Sequence, residues 1–238
     1  MIITKDIIYT SAHATHHGTI SHASNQSGPR PIVLVLPAFG GKGAFDIAVA
    51  ERLAALGYVG FAVDVYGDGR QAASPEEASA LMGEMTADRG AMLRRLLAAV
   101  DCAGAQEVGD AGRMAALGFC FGGKCVLDLA RANAPLRGVI SFHGVYDAPP
   151  EAAAGAIAPS VLVLHGWDDP LATPDDLTTL AEELSAREAD WQVLGFGATG
   201  HAFTNPKAQN PEGGMFYEPR SERRAWQAAE RFLEEVLE

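Results

Sequence analysis

The chain has 238 residues and a formal net charge of −12, from 18 Lys and Arg against 30 Asp and Glu. That charge repels the phosphate backbone of nucleic acids and the anionic face of membranes, so small molecules are the expected partners. No apolar run approaches the roughly 20 residues of a membrane span, and "MIITKDIIYT" lacks the length and basic flank of a signal peptide.

A cytoplasmic chain folding as one domain over 1–238 is therefore expected. Three cysteines, Cys102, Cys120 and Cys125, are too sparse and too odd for a disulfide framework, which suits a reducing compartment and a free thiol. The first 25 residues, rich in β-branched side chains with polar alternation, predict an antiparallel hairpin or edge pair. Six short apolar runs follow, "IVLVL" (32–36), "YVGFAVDV" (58–65), "MAALGF" (114–119), "GVISF" (138–142), "SVLVLH" (160–165) and "WQVLGF" (191–196). Runs apolar on both faces predict strands covered on both sides by helices, hence an α/β fold with a mostly parallel central sheet. Ser74, Pro75 and Glu77 form a capping signal that opens a helical region to about Val100, with a break expected near Gly83 to Thr86. Thr173 before Pro174, Asp175 and Asp176 opens another helix, with acids at the positive end of its dipole. The C-terminal helix places Trp226, Ala229, Leu233 and Val236 on one face, which packs on the sheet.

The stretch "GFCFGGKC", Gly118 to Cys125, admits two readings. As G-x-x-x-x-G-K it is similar to a phosphate-binding loop, with Asp64 as the magnesium-holding acid. Such a loop needs a hydroxyl for Mg²⁺, and Cys125 offers a soft sulfur instead. Asp64 then reads as a strand-end residue that hydrogen-bonds a loop. As G-x-C-x-G the stretch is a nucleophile elbow with cysteine in place of serine, and Gly118, Gly122 and Gly123 let the helix pass close to the strand. An acid and a histidine then belong on the loops after later strands. "HGWDDP" and "GHAF" stand there, giving the order Cys120, Asp169, His201. Each of the three alone is more often a buried thiol, a turn or a surface histidine; their joint order and strand-end placement carry the reading.

From about Pro31 onward the chain resembles the dienelactone hydrolase family, with "GFCFGG", "HGWDDP" and "GHAFTNP" where that family has its nucleophile, acid and base. The resemblance implies the α/β-hydrolase fold, and the family's G-x-x-D spacing selects Asp169 over Asp168, which reads as structural. A helix N-terminus favours an anion and His201 takes the thiol proton, so the attacking species is the Cys120 thiolate. Asp169 holds the His201 tautomer, and the backbone N–H groups of Phe121 and Ala38 form the oxyanion hole. No cofactor and no metal is implied. The family's dienelactone-specific members carry an acid after the first core strand, where this chain has Pro37 or Ala38, and an arginine four residues after the histidine, where it has Asn205.

Without that carboxylate anchor, a neutral substrate is expected, in a pocket lined by some of Phe39, Tyr66, Phe121, Tyr146, Trp167 and Phe203, about half of them core. A thiolate leaves a tetrahedral intermediate more readily than an alkoxide, which favours activated esters and lactones such as aryl or enol esters. Aryl phosphotriesters are the main alternative substrates, and a small-molecule binding protein that keeps the fold without turnover is the competing class. A homodimer is expected only because such dimers are common. The remaining candidates read as structural: His13, His16, His17 and His22 as a solvated hairpin rather than a zinc site, and His143 and His165 as hydrogen-bonded strand-end residues, of which His143 could reach the pocket. Lys124 projects from the helix surface, and Cys102 and Cys125 pack on helices, with Cys125 an outside candidate for a resolving thiol.

Overall fold

Alternation of side chains along the strands decides the layers. Strand β1 (Ile2–Ser11) pairs antiparallel with β2 (Ala14–Ala23), and β2 pairs antiparallel with β4 (Val59–Ala62). From there the sheet is parallel, through β3 (Arg30–Leu36), β5 (Gly109–Phe119), β6 (Gly138–Phe142), β7 (Ser160–Gly166) and β8 (Trp191–Phe196). The spatial order of the eight strands is β1-β2-β4-β3-β5-β6-β7-β8. The computed structural model describes residues 1–12, 14–25, 27–150 and 154–238.

One face receives Ile32, Leu34, Met114, Ala116, Val139, Val161 and Val163, under helices α2 (Pro75–Ala87), α3 (Arg89–Gly104), α4 (Phe121–Arg131) and α5 (Pro174–Ala186). The other receives Val33, Val35, Ala115, Leu117, Ile140, Leu162 and Leu164, under α1 (Ala44–Ala55) and α6 (Pro219–Val236). Period-two alternation thus feeds two cores at once, and full burial of each Val or Leu contributes about 1.5–3 kcal/mol. The expected fold class is the one observed: a mostly parallel sheet covered on both faces, with an antiparallel pair at one edge. On α6, Trp226, Ala229 and Leu233 are buried and Val236 packs beside them, as the spacing predicts.

Several local expectations are corrected. The helical region from Ser74 breaks at Asp88, not at Gly83 to Thr86. The Asp88 carboxylate caps α3 by accepting from Ala91 N–H at 2.7 Å, and Gly83 sits in open space where the helix tolerates it. Ser74 caps α2 by accepting from Glu77 N–H at 3.3 Å, but the Glu77 carboxylate takes the N–H of Ala73 at 2.8 Å. Strand β4 ends at Ala62, because Asp64 turns the chain: its carboxylate accepts from the N–H groups of His17, Gly67 and Gly69, each at 2.9 Å. Asp64 is therefore the loop-organising residue expected.

The hairpin histidines are not uniformly solvated. His16 is fully buried, stacked on Tyr9 with centroids 4.9 Å apart, and bonded to Asp64 O at 2.8 Å and Ser11 Oγ at 2.9 Å. His22 is also buried and His17 exposed, while His13 lies outside the described residues. Lys124 does not project into solvent. Its side chain is 12% exposed and pairs with Asp147 Oδ1 at 2.5 Å.

That pair belongs to a charge network under α4. Asp128 accepts from Arg89 at 2.7 and 2.8 Å and from Arg131 at 3.2 Å, and Arg131 reaches Glu183 at 2.7 Å and the Tyr146 carbonyl at 2.8 Å. The network ties α3, α4 and α5 together, with Asp128 and Arg131 both buried. Replacing Asp128 by Leu leaves two guanidinium groups facing each other without their shared carboxylate. The expected cost is about 3–5 kcal/mol in urea unfolding, and a loss below about 1 kcal/mol would contradict a structural role for this network.

Candidate active site

Strand β5 runs parallel to β6 as far as the pair Phe119 and Phe142, and Cys120 N–H then donates to Phe142 O at 3.0 Å. The chain reverses at Cys120 and enters α4 at Phe121. Cys120 takes φ 53° and ψ −112°, a conformation rarely adopted by residues with a side chain. The expected glycines make this turn fit. A Cβ on Gly118 would overlap the Gly122 carbonyl, one on Gly122 would overlap the Leu36 carbonyl, and one on Gly123 would stand 2.7 Å from Gly144 Cα and Ser141 Oγ. Strand β5, helix α4 and the loop after β3 are thereby brought into backbone contact around the half-buried Cys120.

The acid and base come from the two neighbouring strand ends. Asp169 follows β7, buried, whereas its neighbour Asp168 is exposed. One Asp169 oxygen accepts from the N–H groups of Leu171 and Ala172, at 2.8 and 3.3 Å, which fixes the carboxylate. The other accepts from His201 Nδ1 at 2.7 Å, which assigns the Nδ1–H form to that imidazole. The His201 loop leans on the Asp169 loop, because Gly166 has no side chain where the Thr199 and Gly200 carbonyls pass. It is further held by a two-stranded ribbon, β9 (Gln209–Asn210) and β10 (Met215–Phe216): His201 N–H donates to Gly214 O at 2.7 Å, and Phe216 N–H to His201 O at 3.1 Å.

His201 Nε2 is buried and has no hydrogen-bond partner of ordinary geometry among the described residues. Cys120 is nevertheless close enough to act on it. Burial opposes the imidazolium, but the Asp169 and Cys120 side chains outweigh it and raise His201 from 6.5 to about 10. The three residues predicted from "GFCFGG", "HGWDDP" and "GHAF" are thus in one place.

The other predicted site residues divide. Phe121 is the first residue of α4, where the N–H has no intrahelical acceptor. Ala38 lies in the loop after β3, whose Leu36 and Pro37 carbonyls abut Gly122. Of the six aromatics, Tyr66, Phe121, Tyr146 and Phe203 are buried, four rather than three. Phe203 packs on Phe196 and His143, and Tyr146 bonds His165 Nδ1 at 2.9 Å. Phe39 is half-buried, and Trp167, on the Asp169 loop, is 51% exposed. Asn205 is exposed. Cys125 is fully buried beside Met92, the packed helix residue expected, while Cys102 is half-buried. Two clefts, about 670 Å³ between α3 and α4 and about 470 Å³ between α6 and β8, are lined by none of Cys120, Asp169 and His201.

His143 is a neighbour of the triad that no motif spacing announces. It has φ 37°, its ring meets His201 edge-on with centroids 5.1 Å apart, and its Nε2 bonds Thr204 Oγ1 at 2.8 Å. It therefore ties the end of β6 to the loop that carries His201. Burial, with His201 beside it, holds His143 well below the ordinary imidazole range.

The sequence model of the dienelactone hydrolase family matches residues 18–237. A Caenorhabditis elegans protein of uncharacterised function is 35% identical over 158 residues, 64% of this chain and 99% of its own length. Two solved structures superpose over the whole chain and 99% of their own: one designated m3DLH, at 37% identity and TM-score 0.94, and a dienelactone hydrolase-like promiscuous phosphotriesterase from metagenomic libraries, at 35% and 0.93.

A neutral, buried His143 makes stability depend on pH. Between its folded pKa and 6.5 the unfolded chain binds a proton that the native state excludes, so unfolding free energy rises with pH in that window. Replacing His143 by Phe removes this proton and flattens the slope by up to about 1.4 kcal/mol per pH unit below about pH 6.5. Equal slopes for wild type and variant in urea titrations across that range would contradict the assignment.

Proposed function

The chain belongs to the dienelactone hydrolase family, and we propose that it hydrolyses small, neutral, activated carboxylic esters and lactones through Cys120, His201 and Asp169. The observation that carries this reading is the His201 imidazole, bonded to a fixed carboxylate at 2.7 Å and facing a cysteine held at an elbow.

His201 takes the Cys120 thiol proton on Nε2, which leaves the sulfur as the attacking thiolate. The Cys120 thiolate adds to the ester carbonyl carbon, and the π pair moves to oxygen, which accepts from Phe121 N–H and Ala38 N–H. The pair returns, the bond to the leaving oxygen breaks, and His201 delivers its proton as that oxygen departs, leaving a thioester. Water then adds to the thioester while His201 takes its proton. Collapse expels the thiolate and releases the acid. Asp169 keeps the imidazole in the Nδ1–H form through both half-reactions and stabilises its cation.

Two features support the substrate class. An aryloxide or enolate competes with the thiolate as leaving group where an alkoxide does not. No arginine stands four residues after His201, where exposed Asn205 offers no charge to a substrate carboxylate. A second reading, phosphotriester hydrolysis, is favoured by the overall likeness to the promiscuous phosphotriesterase. In it the sulfur displaces aryloxide from phosphorus, and breakdown of the S-phosphoryl cysteine limits the rate.

Aryl acetates and a neutral aryl phosphotriester, each assayed with wild type, Cys120→Ala and His201→Ala, test both readings. Wild type is expected to turn over the acetates, and each substitution to lower kcat by at least about a thousandfold. A phenol burst without steady turnover on the phosphotriester is the signature of a slow S-phosphoryl step. Activity that survives both substitutions contradicts the triad, and an inert wild type favours a binding protein.

A further inference from the structure

The loop after β3 carries Ala38, but nothing within that loop fixes where Ala38 N–H points. Its one internal bond is from Gly41 N–H to Ala38 O, at 3.0 Å. The restraint comes from the segment after β4. Tyr66 Oη donates to the Phe39 carbonyl at 2.7 Å, Ala72 N–H donates to Gly40 O at 3.0 Å, and the Gln71 side-chain amide donates to Lys42 O. Three carbonyls just past Ala38, those of Phe39, Gly40 and Lys42, are therefore held by the segment after β4.

Tyr66 also touches the other half of the site. Its ring lies parallel to that of Phe121, at 10° and with centroids 5.9 Å apart, and Phe121 supplies the second N–H. Tyr66 itself is fixed. It is 1% exposed, and its carbonyl accepts from Arg95 at 2.5 Å and Arg70 at 3.2 Å. The Asp64 carboxylate pins the turn on either side of it. Burial, with Cys125 and Cys120 nearby, raises the Tyr66 pKa, so the hydroxyl stays a donor.

The geometry points to Tyr66 as the positioning residue of the oxyanion hole, setting the distance between Ala38 N–H and Phe121 N–H by bonding one loop and stacking on the other. It acts through these two amides and does not itself contact the reacting carbonyl. The inference rests on the thiolate reading above and deepens it. A hole spaced for a tetrahedral oxyanion stabilises the transition state more than the bound ester, so a displaced Ala38 lowers kcat more than it changes KM.

Tyr66→Phe keeps the ring and removes only the bond to Phe39. Its kcat on phenyl acetate is expected to fall about tenfold, less than the hundredfold or more of a deleted donor, with KM within about twofold. Two measurements independent of turnover separate this from a general loosening. Phenyl trifluoromethyl ketone adds a thiolate reversibly and forms an oxyanion; its affinity is read as protection of Cys120 against iodoacetamide. Alkylation by iodoacetamide displaces iodide at a saturated carbon and needs no oxyanion hole. In Tyr66→Phe the ketone is expected to bind about tenfold more weakly, while the unprotected alkylation rate stays at the wild-type value. Unchanged ketone affinity would overturn the inference, as would a parallel fall in alkylation rate, or failure of the ketone to protect the wild type. Protection of a wild type that hydrolyses no ester would instead remove the proposed function and leave the role of Tyr66 standing.

Discussion

Cys120 holds a backbone conformation, φ 53° and ψ −112°, that costs about 1–3 kcal/mol for a residue with a side chain. The packing around it offsets that cost and gives it a use. With Cys120 turned out of the strand, it stands at the start of α4, where helix geometry leaves amides without partners. The turn closes only because Gly118, Gly122 and Gly123 let three backbone segments meet without Cβ atoms between them. The same approach brings the loop of Ala38 against the helix of Phe121, so one constraint sets both the proposed nucleophile and the proposed oxyanion hole.

Charge is arranged around this turn in an order that burial alone would not produce. His201 and His143 are both buried, with rings 5.1 Å apart, yet they are shifted in opposite directions. His201 has Asp169 on one nitrogen and Cys120 near the other, and holds a proton to about 10. His143 has a neutral hydroxyl on one nitrogen and an imidazolium beside it, and stays unprotonated. Two cations side by side would be costly, so His143 holds the loop as a neutral group while His201 carries the mobile proton. Asp64 and Tyr66 form a second supporting layer, the Asp64 carboxylate holding backbone N–H groups of the turn and the Tyr66 hydroxyl donating to the Phe39 carbonyl.

Much of this was legible in the sequence because it is local. A strand-end cysteine among glycines, an acid after one later strand and a histidine after the next need only the chain order and the apolar runs. The six runs lie on the parallel strands, and Gly138–Phe142 and Trp191–Phe196 coincide with their predicted limits. What was not legible depends on partners distant in sequence. Strand β4 stops early because Asp64 takes amides from a hairpin 47 residues away as well as from its own loop. His16 is buried because Tyr9 and Asp64 flank it, and Lys124 is covered because Asp147 comes back to α4. Helix α1 has a glycine N-cap and so lacks the Ser or Thr that marks α2 and α5. His143 and Tyr66 matter through Thr204, Phe39 and Phe121, contacts that no spacing rule encodes.

The central claim is that Cys120 becomes covalently acylated during turnover. Rapid acid quench after mixing with an aryl acetate, followed by peptide mass mapping, reads this directly. The account predicts one acetyl group on the peptide containing Cys120 within the first turnover, lost again as substrate runs out. Sustained release of phenol and acetate with Cys120 unmodified at every time point, under conditions that preserve thioesters, would contradict it.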